Sequence, residues 1–145
     1  MPGQPLGTYK VVGQPQANTC GLGAPDPWTF TVRLSLQRST LYWDWLDGSP
    51  LLSGRLTQSQ ASLVDSAEVN ADSTEAGLGP CTLQSSADLE LALSAGSPAG
   101  GFSGTIAYAY TPASGATCVD ALSSGGGMYS ALPCSVTYSL TGTRQ

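Results

Sequence analysis

The sequence predicts an all-β domain, an antiparallel up-and-down meander of about eight strands that closes into a barrel. Charged residues make up only 10% of the chain, against about 25% in a typical soluble protein, so exposed helices, which depend on Glu, Lys and Arg, are disfavoured. Apolar residues recur with a period of two in several segments, as in half-buried strands. Strands joined by short links usually pair with their sequence neighbours, and closure removes exposed edges. A two-sheet β-sandwich is the alternative architecture.

The chain length predicts one domain, spanning residues 1–145, because a single core typically serves about 100 to 200 residues. No segment approaches the 18 or so apolar residues that span a bilayer, and none resembles the apolar core of a signal peptide. We therefore expect no transmembrane segment. If the protein is exported, we expect its leader to have been removed.

Eight segments carry strand patterns. The segment 29–37 shows the clearest alternation, and Asp47-Gly48 predicts a reversal because both residues tolerate a positive φ. Segment 61–71 fits a strand or a short helix equally well, and its neighbours favour a strand. Loops are expected at 72–80 and 111–127, and Gly104 on an apolar face predicts a bend or a close backbone approach. The predicted strands are 6–12, 29–37, 40–46, 50–57, 61–71, 83–93, 102–110 and 135–141.

The four cysteines predict disulfides. The chain has no His and no C-x-x-C spacing, which argues against zinc and redox motifs. Disulfides persist in oxidising compartments, so an extracytoplasmic location is expected. Four cysteines allow three pairings, and sequence alone does not choose among them. We favour Cys20 with Cys81 and Cys118 with Cys134, the second pair closing a short Gly-rich segment.

Charge and missing motifs restrict the function. The net charge is −5 and the five basic residues are scattered, whereas a nucleic-acid surface needs clustered Lys and Arg, so no nucleic-acid partner is expected. Without His, the commonest general base and the Ser-His-Asp arrangement are absent. No nucleotide-binding glycine motif occurs either. We expect no enzymatic activity, no cofactor and no metal site.

Two pairs of acidic residues are the basis for an alternative, catalytic function. Asp65 with Glu68, or Asp88 with Glu90, has the chemistry of a carboxylate-dependent hydrolase. A solvated strand face is the interpretation we prefer for both pairs.

Aromatic residues on predicted strand faces are the candidate ligand-binding residues: Trp43, Trp45, Tyr108 and Tyr110. Trp43 and Trp45 share a face, and two large rings side by side in a small barrel either fill its core or line a pocket. Both interpretations are open from sequence.

The two ends of the chain carry short motifs: Gly7-Thr8-Tyr9, Phe102-Ser103-Gly104, and Cys118 followed by Leu132-Pro133-Cys134-x-Val136-x-Tyr138-x-Leu140. In these motifs the chain resembles small secreted or outer-membrane lipoproteins of Gram-negative bacteria with a lipocalin-like, calycin-type barrel. In such barrels a ring on the first strand is covered by a basic residue of the last strand. The resemblance implies Tyr9 and Arg144 in those roles, and a small ligand bound by the barrel.

The leading hypothesis is a non-catalytic extracytoplasmic protein that binds a small apolar ligand in or at the mouth of the barrel. A carbohydrate-binding or cell-surface interaction module is the alternative. The location is expected to be secreted, periplasmic, or anchored to the outer membrane through a lipid on a removed N-terminal segment.

Overall fold

The computed structural model describes residues 1–21, 23, 25–70, 81–96, 98–114, 118, 122 and 129–145, and within these ranges it contains eight strands and no helix. Each strand pairs antiparallel with its sequence neighbour, and β1 pairs with β8, so the sheet is a closed barrel in the order β1 to β8. The prediction of an up-and-down barrel is confirmed, and the sandwich alternative is wrong. The strands are β1 (Gln4–Asn18), β2 (Trp28–Gln37), β3 (Thr40–Asp44), β4 (Leu52–Thr57), β5 (Gln60–Asn70), β6 (Thr82–Leu93), β7 (Gly101–Pro112) and β8 (Cys134–Arg144).

The meander gives the barrel two unlike ends. At one end, which we call the turn end, residues 38–39, 58–59 and 94–100 connect the strands. Arg38 and Gln58 take positive φ values of 58° and 59° in the first two of these turns. At the other end, the loop end, the chain passes from β1 to β2, from β3 to β4, from β5 to β6 and from β7 to β8.

The inward faces are those that the alternation predicts. On β3, Leu41 and Trp43 are fully buried while Thr40, Tyr42 and Asp44 are half-buried. On β8, from Cys134 to Thr143, the odd-numbered residues are the more exposed. No helix that is both long and apolar enough to cross a membrane occurs in the described part of the chain. The expected loop at 72–80, and the glycines at 125–127, lie outside the described residues.

The first strand is much longer than predicted. It pairs with β2 over Gln4 to Gly13 and with β8 over Tyr9 to Asn18, so almost its whole length has a partner. Register shifts follow Pro5 and Pro15. Proline lacks an N–H donor and is tolerated in a sheet at such irregularities, which is why the prolines did not end the strand.

Two inward-facing glycines allow strands to approach closely. A Cβ on Gly104 would collide with the carbonyl oxygen of Glu90 on β6, and a Cβ on Gly54 with that of Ser62 on β5. The close approach predicted at Gly104 is confirmed. The ladder between β4 and β5 has only two residue pairs, Leu56 with Ala61 and Thr57 with Gln60.

All four cysteines form disulfides, as predicted, but the favoured pairing is wrong. Cys20 is bonded to Cys134 and Cys81 to Cys118, with Cα atoms 5.0 and 4.8 Å apart. Cys20 follows β1 and Cys134 begins β8, and these two strands close the barrel. Cys81 precedes β6 and Cys118 follows β7, its hydrogen-bonded neighbour. Barrel closure and strand pairing, rather than closeness in sequence, select the partners.

Barrel closure also brings together the residues named by the resemblance. Tyr9 lies opposite Arg144 in the β1–β8 ladder. The Arg144 side chain crosses Gly7, where a Cβ would lie 2.6 Å from Nε, and this Nε donates a hydrogen bond to the Leu6 carbonyl at 3.2 Å. The eight-stranded closed barrel with two disulfides is therefore consistent with a lipocalin-like barrel.

Candidate functional site

Aromatic rings run through the barrel from one end to the other. Near the turn end, Tyr9 contacts Phe102 with ring centroids 5.5 Å apart, and Phe102 contacts Trp43 at 5.6 Å. Trp43 in turn contacts Trp45 at 5.3 Å. Trp45 stacks on Trp28 at 6.1 Å with an interplanar angle of 25°. Trp43 thus joins a buried set of rings to a partly exposed set at the loop end.

One cavity, which we call the mouth cavity, opens at the loop end and has a volume of about 300 Å³. The Tyr138 hydroxyl, from β8, donates a hydrogen bond to the Pro25 carbonyl at 3.1 Å and so ties the β1–β2 connection over this space. The volume is at the low end of the range for ligand pockets. The cavity is lined by Gly23, Pro25, Trp28, Tyr108, Tyr110, Val136 and Tyr138.

A second cavity, the side cavity, has a volume of about 250 Å³ and shares Trp28 and Tyr108 with the first. Leu52 on β4 and Asp65 on β5 line it from two sides, at a level where the β4–β5 ladder has already ended. It is lined by Trp28, Trp45, Asp47, Ser49, Pro50, Leu52, Asp65, Ala87 and Tyr108.

The sequence-predicted ligand residues are only partly brought together. Tyr108 lines both cavities, Tyr110 lines the mouth cavity, and Trp45 lines the side cavity. Trp43 is fully buried among other rings and lines neither of these cavities. Its indole N–H is a buried donor without a hydrogen-bond partner. The roles of these four residues in ligand binding stay predictions.

The lining residues that were not among the predicted site residues include Trp28, Val136 and Tyr138. Trp28 begins β2 on the same face as Phe30, with ring centroids 4.3 Å apart, so its inward direction follows from the alternation. Val136 and Tyr138 share the inward face of β8. Their position beside Tyr108 depends on the β7–β8 register, where Tyr108 lies opposite Val136, and that register is not readable from one sequence.

Burial determines the protonation of the loop-end tyrosines. Burial is the main cause that raises the pKa of Tyr108, and the neighbouring Tyr110, Tyr138 and the Asp47 carboxylate raise it further. The pKa values of Tyr110 and Tyr138 are also raised, chiefly by burial. These phenols are therefore neutral hydrogen-bonding groups at ordinary pH, and Asp47 is near enough for its charge to act on Tyr108.

The carboxylates of the β3–β4 connection are held by turns. Asp47 Oδ1 accepts a hydrogen bond from the Ser49 N–H at 2.9 Å, and hydrogen bonds from Ser49 lower the Asp47 pKa. Asp44 accepts from the Leu46 N–H at 3.0 Å and forms an ion pair with Arg33 at 2.7 Å. The Leu46 hydrogen bond is the main cause that lowers the Asp44 pKa. Gly48 takes a φ of 88°, in keeping with the predicted reversal.

The two acidic pairs have different surroundings. Asp65 faces inward and lines the side cavity, whereas Glu68 accepts a hydrogen bond from Gln84 on the outer face. Asp88 and Glu90 share the outer face of β6. Burial is the main cause that raises the Asp88 pKa, and the hydrogen bond and the charge of the Glu90 side chain raise it further. Glu90 also accepts a hydrogen bond from the Ser62 hydroxyl at 2.8 Å.

No protein-family model, curated protein or solved structure matches this chain. The two disulfides indicate an oxidising, extracytoplasmic environment.

Proposed function

We propose that this protein is a non-catalytic extracytoplasmic binding protein that takes a small, largely apolar ligand at the loop end of its barrel. The observation that carries the proposal is the pair of adjoining cavities that share the Trp28 and Tyr108 rings. Ligand sites in proteins are typically concave, lined mainly by apolar and aromatic side chains, with few polar groups to orient the ligand. Both cavities have this character.

The position of the exposed rings, rather than cavity volume, supports the loop end as the binding region. A larger groove of about 580 Å³ lies at the turn end beside Gly3 and Arg38, but no aromatic ring of the described residues lines it. Tyr9 and Leu41 are fully buried near the turn end, and the Tyr9 hydroxyl donates a hydrogen bond to the Ala99 carbonyl at 2.7 Å. The rings of Trp28, Trp45 and Tyr108 remain partly exposed. Exposed aromatic surface grouped around a cavity is typical of a binding site.

The resemblance to lipocalin-like lipoproteins of Gram-negative bacteria supports the same proposal. Such a protein is secreted, periplasmic, or anchored to the outer membrane by a lipid on its N-terminal segment. The Tyr9–Arg144 pairing at the barrel closure and the two disulfides agree with this assignment.

The proposal is tested by titrating the protein with N-phenylnaphthylamine, a neutral apolar fluorophore that brightens on leaving water. We expect saturable binding that is at least tenfold weaker in Val136→Phe, because the larger side chain occupies the mouth cavity. Val64→Phe is the matched control, since Val64 is 61% exposed on β5.

If Val136→Phe fails to fold by circular dichroism, Trp28→Ala replaces it as the test, because it removes the wall that the two cavities share. No saturable binding to the wild-type protein, or equal binding to all these variants, would overturn the proposal.

A carbohydrate-binding module is the second candidate, and the stacked, partly exposed Trp28 and Trp45 rings favour it. Sugar rings stack on such aromatic faces. Quenching of tryptophan fluorescence by soluble polysaccharides, lost in Trp45→Ala, is the expected result for this candidate. An unchanged emission spectrum with every polysaccharide would remove it.

A further inference from the structure

The side cavity combines aromatic rings with an inward-facing carboxylate. Asp65 lies opposite Ala87 on β6, and Ala87 lies opposite Tyr108 on β7, so the three form one row across neighbouring strands. Side chains that are directly opposite each other point to the same face of a sheet. Asp65 therefore occupies an inward position of the barrel, as do Leu63 and Ala61 on the same strand.

The small side chain of Ala87 leaves space between the outer two members of this row. Strands are about 4.8 Å apart, so Asp65 and Tyr108, two strands apart, flank a gap of about 10 Å at the level of their backbones. Trp28 and Trp45 border the same cavity, and Asp47 is on its rim. The gap is wide enough for a small headgroup.

The charges in the side cavity are not balanced from within the described residues. No lysine or arginine lines the cavity, and no described side chain forms a hydrogen bond or ion pair with Asp65. Asp47 has one oxygen bonded to the Ser49 N–H. Asp47 and Asp65 are both exposed, so their carboxylates are solvated and accessible to a ligand that enters the side cavity.

We infer that the side cavity binds the positively charged ammonium head of an organic cation whose apolar part lies against Trp28 and Tyr108 in the adjoining mouth cavity. Ring faces of Trp and Tyr attract cations through their quadrupoles, and quaternary ammonium groups are commonly bound by such rings. Asp47 and Asp65 supply the complementary negative charge. The net charge of −5 favours the approach of a cation to the protein. This inference rests on the proposed function and specifies the chemistry of its ligand.

Three probes with the same octyl chain test the inference by isothermal titration calorimetry: octyltrimethylammonium, octanol and octanoate. We expect the ammonium to bind about five- to tenfold more tightly than octanol. A gain of this size is what one cation–π contact and two partly screened carboxylates contribute to binding. Octanoate is expected to bind most weakly. The preference should fall as salt is added, because exposed charges are screened.

Substitution of the two carboxylates separates their contribution to ligand affinity from that of the apolar octyl chain. In the Asp47→Asn, Asp65→Asn double variant, the preference for the ammonium over octanol should fall to about twofold or less, the part that the rings alone supply, while octanol affinity stays as in the wild type. The Glu68→Gln, Glu90→Gln double variant is the control for the change in net charge, since both side chains face outward and accept hydrogen bonds from Gln84 and Ser62, respectively. It should keep the full preference for the ammonium.

Equal binding of the ammonium and octanol to the wild-type protein would overturn this inference and leave the proposed function standing. A preference for the ammonium that is undiminished in the double variant would also overturn it. Failure of all three probes to bind would instead count against the proposed function itself.

Discussion

The two ends of the barrel are built from the same strands yet differ in how their aromatic rings are packed. Near the turn end, Tyr9 and Phe102 are buried against each other, and residues 94–100 contribute Ala99 as the acceptor for the Tyr9 hydroxyl. At the loop end, Trp28 and Tyr108 stay partly exposed beside two cavities. Both disulfides join segments at the loop end.

The difference shows how a small barrel can separate stability from binding. A closely packed interior supplies most of the folding free energy, whereas a cavity forfeits contacts along its walls. Covalent bonds offset that loss where the packing is incomplete. We therefore expect the turn end to depend on side-chain packing and the loop end on its disulfides.

Removal of the disulfides should have the largest effect. The Cys20–Cys134 bond spans 114 residues and the Cys81–Cys118 bond spans 37. In the chain-entropy model their loss costs up to about 5 and about 4 kcal/mol of unfolding free energy, respectively. Urea titration of the two double Cys→Ser variants measures these values.

Hydrogen exchange of the same disulfide variants shows where the loss occurs. Loop-end amides, such as those of β8 near Val136, should lose protection before the amides of Tyr9 and Phe102. Equal loss at both ends would contradict the division of roles.

Truncation of Trp43 should cause the second-largest loss of unfolding free energy. Trp43→Ala is expected to lower the unfolding free energy by about 3 to 5 kcal/mol, because the ring is fully buried among other rings. Trp45→Ala is the matched variant at the loop end and should cost clearly less, since Trp45 is partly exposed. Similar costs in chemical denaturation would mean that the two ends are packed alike.

A small enlargement near the turn end should have an intermediate effect. In Gly142→Ala, the new Cβ would collide with the Phe102 ring, which cannot move freely because Tyr9 and Trp43 contact it. Overpacking of this kind costs about 1 to 3 kcal/mol. The control is Gly100→Ala, whose Cβ would meet no atom within 4 Å. Thermal unfolding should separate the two variants, and equal midpoints would show that Phe102 has room to move.

The smallest predicted effect is a pH dependence that comes from the loop-end phenols. Burial raises the pKa of Tyr108 above its ordinary value of 10.0. Above about pH 10 the unfolded chain therefore releases this proton while the folded protein retains it, so stability falls as the pH rises. Tyr108→Phe should reduce the slope of unfolding free energy against pH between about 9 and 11, and Tyr42→Phe on β3 is the control for loss of a hydroxyl. An unchanged slope in Tyr108→Phe would contradict the burial of this phenol.

The local alternation of apolar and polar residues was sufficient to predict the fold and much of the barrel interior. Alternation along β2 and β3 correctly predicts that Val32, Leu41 and Trp43 face inward, because side-chain direction in a strand depends only on parity. The fact that all four cysteines are bonded also followed from composition. Gly104 was correctly predicted as a place of close approach.

What could not be predicted depends on contacts between strands distant in sequence. The disulfide partners follow from the β1–β8 and β6–β7 pairing, for which a single sequence holds no direct signal. Asp65 shows a different limit, since segment 61–71 fitted a strand or a helix, and only in a strand does parity place Asp65 and Glu68 on opposite faces. Cavities arise from the balance of side-chain volumes across strands, as at Ala87 between Asp65 and Tyr108.

Chemical-shift mapping with octanol tests the central claim, that the loop end binds apolar ligands, most directly. In protein labelled with ¹⁵N, the indole N–H signals of Trp28 and Trp45 should shift as octanol is added, while the backbone amides of Tyr9 and Phe102 near the turn end should stay in place. Shifts concentrated at Tyr9 and Phe102, or no shifts at any indole, would contradict the account.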